Sequence, residues 1–69
     1  MIIYEPFWRT LKEKNISTYT LIQHYKVSSS TISRLRNNKG ISTTTINDLC
    51  TILNCAVEDI VKFIPDVEK

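Results

Sequence analysis

A single glycine, a single histidine, two prolines and two cysteines leave several kinds of chemistry without material. One glycine cannot build the glycine-rich loops that cradle nucleotide phosphates. His24 has no nucleophile elbow or acid-base pair to work with, so an enzyme is not expected. Structural zinc takes four ligands, and Cys50, Cys55, His24 and distant carboxylates do not supply them. No metal and no cofactor is expected. Cys50 and Cys55 lie five residues apart around a helix end, an awkward span for a disulfide, and both read as small buried hydrophobes. No apolar run approaches the ~20 residues that span a bilayer. The stretch MIIYEPFW lacks the basic region and cleavage site of a signal peptide. A cytoplasmic, nucleoid-associated protein without a membrane partner is the expectation.

One absence is local. Residues 14–47 carry Lys14, Lys26, Arg34, Arg36 and Lys39 and not one acid, a local charge of +5. Residues 1–13 balance to zero, and residues 48–69 sum to −3, so a net charge of only +2 conceals a strongly electropositive middle. A clustered field of one sign attracts a polyanion more than net charge suggests.

Sixty-nine residues suit one small domain, with 42% hydrophobic residues to pack it and no second, ligand-sensing domain expected. Apolar residues recur at helical spacing in five places. After an apolar arm at 1–4, Pro6 opens a first helix, from about Glu5 to Lys14, whose buried side carries Tyr4, Phe7 or Trp8, and Leu11. Ser17 caps a second, Thr18 to about Tyr25, burying Leu21, Ile22 and Tyr25. Lys26 and Val27 form a turn. Ser28 caps a third helix that ends near Asn37 and buries Ile32 and Leu35. Asn38, Lys39 and Gly40 make a loop in which the glycine is free to take positive φ. Ser42 caps a fourth helix with the stripe Ile46, Leu49, Cys50 and Leu53, and Asn54 ends it. Val57, Ile60, Val61 and Ile64 predict a fifth, weakly started at Ala56 and stopped by Pro65. Residues 66–69 read as a flexible tail. With no strand pairs in sight, the expected fold class is all-α, a compact five-helix domain over residues 1–69.

The second and third helices organise the rest. The third exposes Ser29, Ser30, Ser33, Arg34 and Asn37, all polar and short or forked. Two short helices, a tight turn and a polar, partly basic second helix describe a helix-turn-helix. The stretch TYTLIQHYKVSSSTISRLRN resembles the lambda-repressor-like (Cro/CI-type, XRE-like) helix-turn-helix domain. ISTTTINDLCTILNCAVEDIVKFIP is similar to that family's fourth and fifth helices, in the compact subgroup with an Asn-Cys pair before a short acidic-apolar helix. The likeness covers about residues 6–65. Leu21, Val27, Ile32 and Leu35 match core positions of the family. Ser28, Ser29, Ser30, Ser33, Arg34 and Asn37 fall where members touch DNA. Thr18 stands where many members place a longer glutamine that contacts phosphate and braces the recognition helix. Two further departures are Lys26, where glycine is usual, and Ile22, where a small residue lets helices cross closely.

On this reading the protein is a sequence-specific, double-stranded-DNA-binding transcriptional regulator, expected to be a repressor. Base edges would be read by Ser29, Ser30, Ser33, Arg34 and Asn37. Arg34 leads, because a guanidinium fork on guanine O6 and N7 is worth roughly 1–3 kcal/mol. Phosphates would be held by Thr18, Ser28, Arg36, Asn38, Lys39 and Ser42. Arg36 has a second reading, as cover for the apolar edge of the third helix. Useful affinity calls for two half-sites about 34 Å apart, hence a homodimer on a palindromic operator. Ile2, Ile3 and Phe63 are the expected dimer interface, unless they complete the monomer's own core. A protein co-regulator is a further partner consistent with the sequence. The competing class is a helical protein–protein interaction module or an antitoxin-like partner protein.

Overall fold

The computed structural model describes residues 1–66, and what holds the chain together there is a set of helix ends. Helix α1 (Glu5–Lys14) has Pro6 in its first turn, Glu5 at its positive end and Lys12 and Lys14 at its negative end. Asn15 closes it in the left-handed region (φ 58°), with its N–H turned back to the carbonyls of Leu11 and Lys12. Helix α2 (Thr18–Gln23) starts on the Ser17 hydroxyl, and helix α3 (Ser29–Arg36) on that of Ser28. Helix α4 (Thr43–Leu53) starts on Ser42 and ends on Asn54, again left-handed at φ 52°.

Pro6, Phe7, Thr10 and Leu11 form the buried side of α1, which packs on α4 and on the segment after it. The core is Tyr4, Phe7, Leu11, Leu21, Ile32, Leu35, Leu49, Leu53 and Ile60. Leu21 from α2 and Ile32 and Leu35 from α3 are inserted into it, so the polar side of α3 is held outward by its own buried stripe. Ile22, Val27, Ile46 and Cys50 are half-buried around that centre.

Three expectations from sequence need correction. The fifth helix is absent. Val57–Asp59 makes one 3₁₀ turn and Lys62–Phe63 is a strand, β2, paired antiparallel with β1 (Ile2–Ile3) in the register Ile2 to Phe63 and Ile3 to Lys62. The Ile64 amide extends the ladder to the Met1 carbonyl at 2.8 Å. Among the described residues, four helices and a two-stranded sheet therefore replace the all-α five-helix chain, and Ile2–Ile3 of the apolar 1–4 arm supply one of the strands. The cause is local weakness meeting a distant partner. Ala56 has no acceptor to cap a helix, and Asp59 spends its carboxylate on the Ala56 amide instead (3.0 Å). The β-branched Val57, Ile60, Val61 and Ile64 accept an extended chain readily once Ile2 and Ile3 offer hydrogen bonds.

Second, α2 stops at Gln23, so Tyr25 lies beyond it, 41% exposed and edge-on to the His24 ring rather than buried. Third, the single glycine is not the residue with positive φ in its loop; Asn38 is, at 55°. Of the expected tail, residues 67–69 lie outside the described residues. In the turn expected at Lys26 and Val27, Lys26 adopts φ 63°, and the Val27 amide closes the turn onto the Leu21 carbonyl at 3.0 Å. All four non-glycine residues with positive φ among those described are Asn15, Lys26, Asn38 and Asn54, and Lys26 alone is not asparagine.

Candidate nucleic-acid interface

Helix α3 presents Ser29, Ser30, Ser33, Arg34 and Asn37 to solvent. At 100° per residue these fall within an arc of roughly 140°, with Ile32 and Leu35 on the opposite side. Each exposed side chain has a distinct amount of freedom. Arg34 makes no ion pair among the described residues. Asn37 is partly engaged: its amide nitrogen donates to the Ser33 carbonyl at 2.9 Å and approaches the Ser33 hydroxyl at 3.5 Å. The Ser33 bond leaves the Asn37 side-chain oxygen unengaged and fixes its orientation. Ser29 and Ser33 carry short hydroxyls that allow close approach.

The three helix starts share a device that the sequence reading did not pick out. Ser17, Ser28 and Ser42 each accept the amide of the residue three further on, at 3.1 Å in every case. That residue is always threonine, and its hydroxyl also meets the serine oxygen, at 3.0 Å for Thr20, 2.9 Å for Thr31 and 3.0 Å for Thr45. The signal was present as STYT, SSST and STTT, a Ser-x-x-Thr repeated at each cap. Where Ser-x-x-Glu is the common pairing, threonine keeps the same position neutral. No acid occupies the first turn of α2, α3 or α4. The partial positive charge of these helix starts is therefore uncompensated.

The phosphate candidates divide by how they are held. Ser28 and Ser42 accept capping amides and also share hydroxyl contacts with Thr31 and Thr45, and Ser28 with Ser30 at 3.1 Å, so either hydroxyl must be shared or redirected to donate to a phosphate. Thr18 is half-buried at the first position of α2. Arg36 lies with its guanidinium carbon 5.2 Å from the centroid of the Trp8 ring, a cation–π contact on the flank of α3. The guanidinium thus lies over a ring of α1, whereas the second reading had placed it over the apolar edge of the third helix. Asn38 and Lys39 sit in the loop after α3. The Asn38 side-chain oxygen accepts the Tyr4 amide at 3.1 Å, and the Lys39 carbonyl accepts the Tyr4 hydroxyl at 2.7 Å. The Lys39 side chain is exposed.

The three residues expected at a dimer interface come together in the strand pair. Ile2 and Phe63 face each other across it, 45% and 64% exposed, while Ile3 is half-buried. Directly opposed residues share one side of a sheet, so Ile2 and Phe63 form a continuous apolar surface.

Cys50, near the end of α4, and Cys55, just beyond that end, are free and half-buried. Burial pushes the Cys55 thiol up, helped by the nearby Cys50 and Asp59 and opposed by Lys14. Among the described residues, no three His, Cys, Asp or Glu side chains gather in a way that suits a metal ion, and no helix is long and apolar enough to cross a membrane.

Residues 7–66 match a family model described as a Cro/C1-type helix-turn-helix DNA-binding domain. Among solved structures, the crystal structure of the transcriptional regulator VanUg (form II) superposes with a TM-score of 0.84 and 29% sequence identity. The match covers 94% of this chain and 87% of that one. No curated protein sequence matches this chain.

Proposed function

The chain belongs to the Cro/C1-type helix-turn-helix DNA-binding domains, and from that premise we propose that it is a sequence-specific transcriptional regulator, a repressor that binds a palindromic operator as a homodimer in the cytoplasm. One observation carries the reading beyond the family: α3 turns a wholly polar face outward from a stretch of chain, residues 14–47, that contains no acid. Helix α3 enters the major groove, with Arg34 on a guanine edge and Ser29, Ser30, Ser33 and Asn37 beside it. The starts of α3 and α4, through Ser28 and Ser42, approach phosphates together with Thr18, Asn38 and Lys39. Arg36 joins them only by leaving Trp8. The apolar surface of Ile2 and Phe63 meets the same surface of a second copy, an arrangement that two-fold symmetry permits. VanUg, a transcriptional regulator by its description, supports the regulatory part of this reading.

The test separates reading from gripping. Arg34→Ala is expected to cost roughly 1–3 kcal/mol on the preferred duplex and to relax preference at one base pair. Lys39→Ala is expected to weaken all duplexes about equally and to lower the slope of log K against log salt by about one. Binding to preferred and scrambled duplexes across a salt series measures both. A parallel loss on both duplexes for Arg34→Ala would make Arg34 a phosphate contact. No salt-sensitive binding of the native chain to any duplex would refute the DNA reading and favour a protein-binding module.

A further inference from the structure

Tyr4 is 3% exposed, and its ring belongs to the core, where phenylalanine would pack alike. Its hydroxyl is therefore not explained by packing. That hydroxyl donates to the Lys39 carbonyl at 2.7 Å, while the Tyr4 amide donates to the Asn38 side chain at 3.1 Å. Both bonds cross more than thirty residues of sequence to reach one short loop. Its flanks are anchored, with Leu35 in the core and Ile41 packed against it, but the three loop residues themselves bury nothing. Asn38, Lys39 and Gly40 are exposed, and a side chain built at Gly40 would meet nothing within 4 Å. Its own closure is the Lys39 amide on the Arg34 carbonyl, at 2.8 Å, which fixes it to the end of α3 but not to the body of the domain.

We propose that Tyr4 is a positioning residue for DNA binding: it clamps the loop that follows the recognition helix, so that Lys39 is set in place before a phosphate arrives. The proposal rests on the DNA reading given above. A basic residue on an untethered loop must be ordered at the moment of binding, and that ordering is subtracted from affinity. Two hydrogen bonds from a buried residue meet the cost during folding instead. Tyr4 also follows β1 directly, so the same clamp joins the loop to the strand pair and sets α3 relative to it.

Tyr4→Phe removes the hydroxyl and keeps the ring. Asn38→Gly removes the other tether and keeps a residue that accepts the positive φ found there. Each is expected to weaken binding to preferred and scrambled duplexes alike, by roughly two- to tenfold, the net value of one hydrogen bond. Combined with Lys39→Ala, Tyr4→Phe is expected to add little, because both changes act through one contact. Ile60→Val, a core change that touches neither tether of the loop, serves as a control for lost stability and is expected to leave binding unchanged well below its melting temperature. The proposal is overturned if Tyr4→Phe binds as the native chain does while Lys39→Ala does not, an outcome that leaves the DNA reading intact. It is equally overturned if Tyr4→Phe and Lys39→Ala losses add in full, or if Ile60→Val matches the loss. Absence of duplex binding by the native chain would remove the DNA reading and this proposal together.

Discussion

Replacing Lys26 with glycine perturbs the one left-handed position among the described residues that holds neither glycine nor asparagine. Two opposed terms set the result. An L-residue with a full side chain in the left-handed region carries a penalty of about 1–2 kcal/mol, which glycine does not. Glycine in turn loosens the unfolded chain, which costs about 0.4–1 kcal/mol. Lys26 is exposed, so no packing is lost with its side chain. The balance is a stabilisation of about 0.5–1 kcal/mol, a rise in melting temperature of about 3–6 °C for a domain of this size. Thermal and urea melts at neutral pH measure it, and the urea slope should not change, because the surface exposed on unfolding is the same. Lys26→Asn should move in the same direction by less, and Lys26→Val should destabilise, because a β-branched side chain tolerates positive φ worst. A lower melting temperature for Lys26→Gly would refute the reasoning. It would mean that the lysine side chain contributes more at this turn than the backbone strain removes.

Two further outcomes are expected. Phe63→Glu places a charge on the exposed surface shared with Ile2; sedimentation should shift toward monomer and operator affinity should fall, with little change in monomer stability, and a dimer as tight as the native one would place the interface elsewhere. Cys55, with its thiol raised, should alkylate more slowly in the folded chain than in urea at pH 7–8.5, and Cys50→Ala should speed it by removing one cause of the shift. The sign for stability follows: the contribution is complete below the unfolded thiol's pKa and is lost as pH rises through the higher folded value. Faster reaction of folded than unfolded Cys55 would contradict this.

What could be read from sequence was whatever depends on neighbours along the chain. Ser17, Ser28 and Ser42 were legible as caps because the acceptor and the amide it serves lie three residues apart. The outward face of α3 was legible because Ile32 and Leu35 fix which side is buried. The segment after Asn54 misled because apolar spacing over a few residues suits a helix and a strand equally. The deciding partner, Ile2, lies about sixty positions away from Phe63. Separation along the chain likewise hid the clamp on the 38–40 loop and the seat of Arg36 on Trp8, since both appear only once α1 is packed beside the end of α3. The capping threonines were local and were overlooked because the familiar signature at that position is an acid or its amide.

Trp8 is the only tryptophan in the chain. Its indole stands edge-on to Phe7, with ring centroids 4.9 Å apart, and its face carries the Arg36 guanidinium. One fluorophore is thus placed against the last turn of α3, with a cation resting on it that, on the proposed DNA reading, would exchange the ring for a phosphate. Drawing Arg36 away would change the polarity felt by the excited indole and shift its emission. An intrinsic optical reporter would then distinguish DNA held with Arg36 still seated from DNA held with Arg36 withdrawn, without an added label.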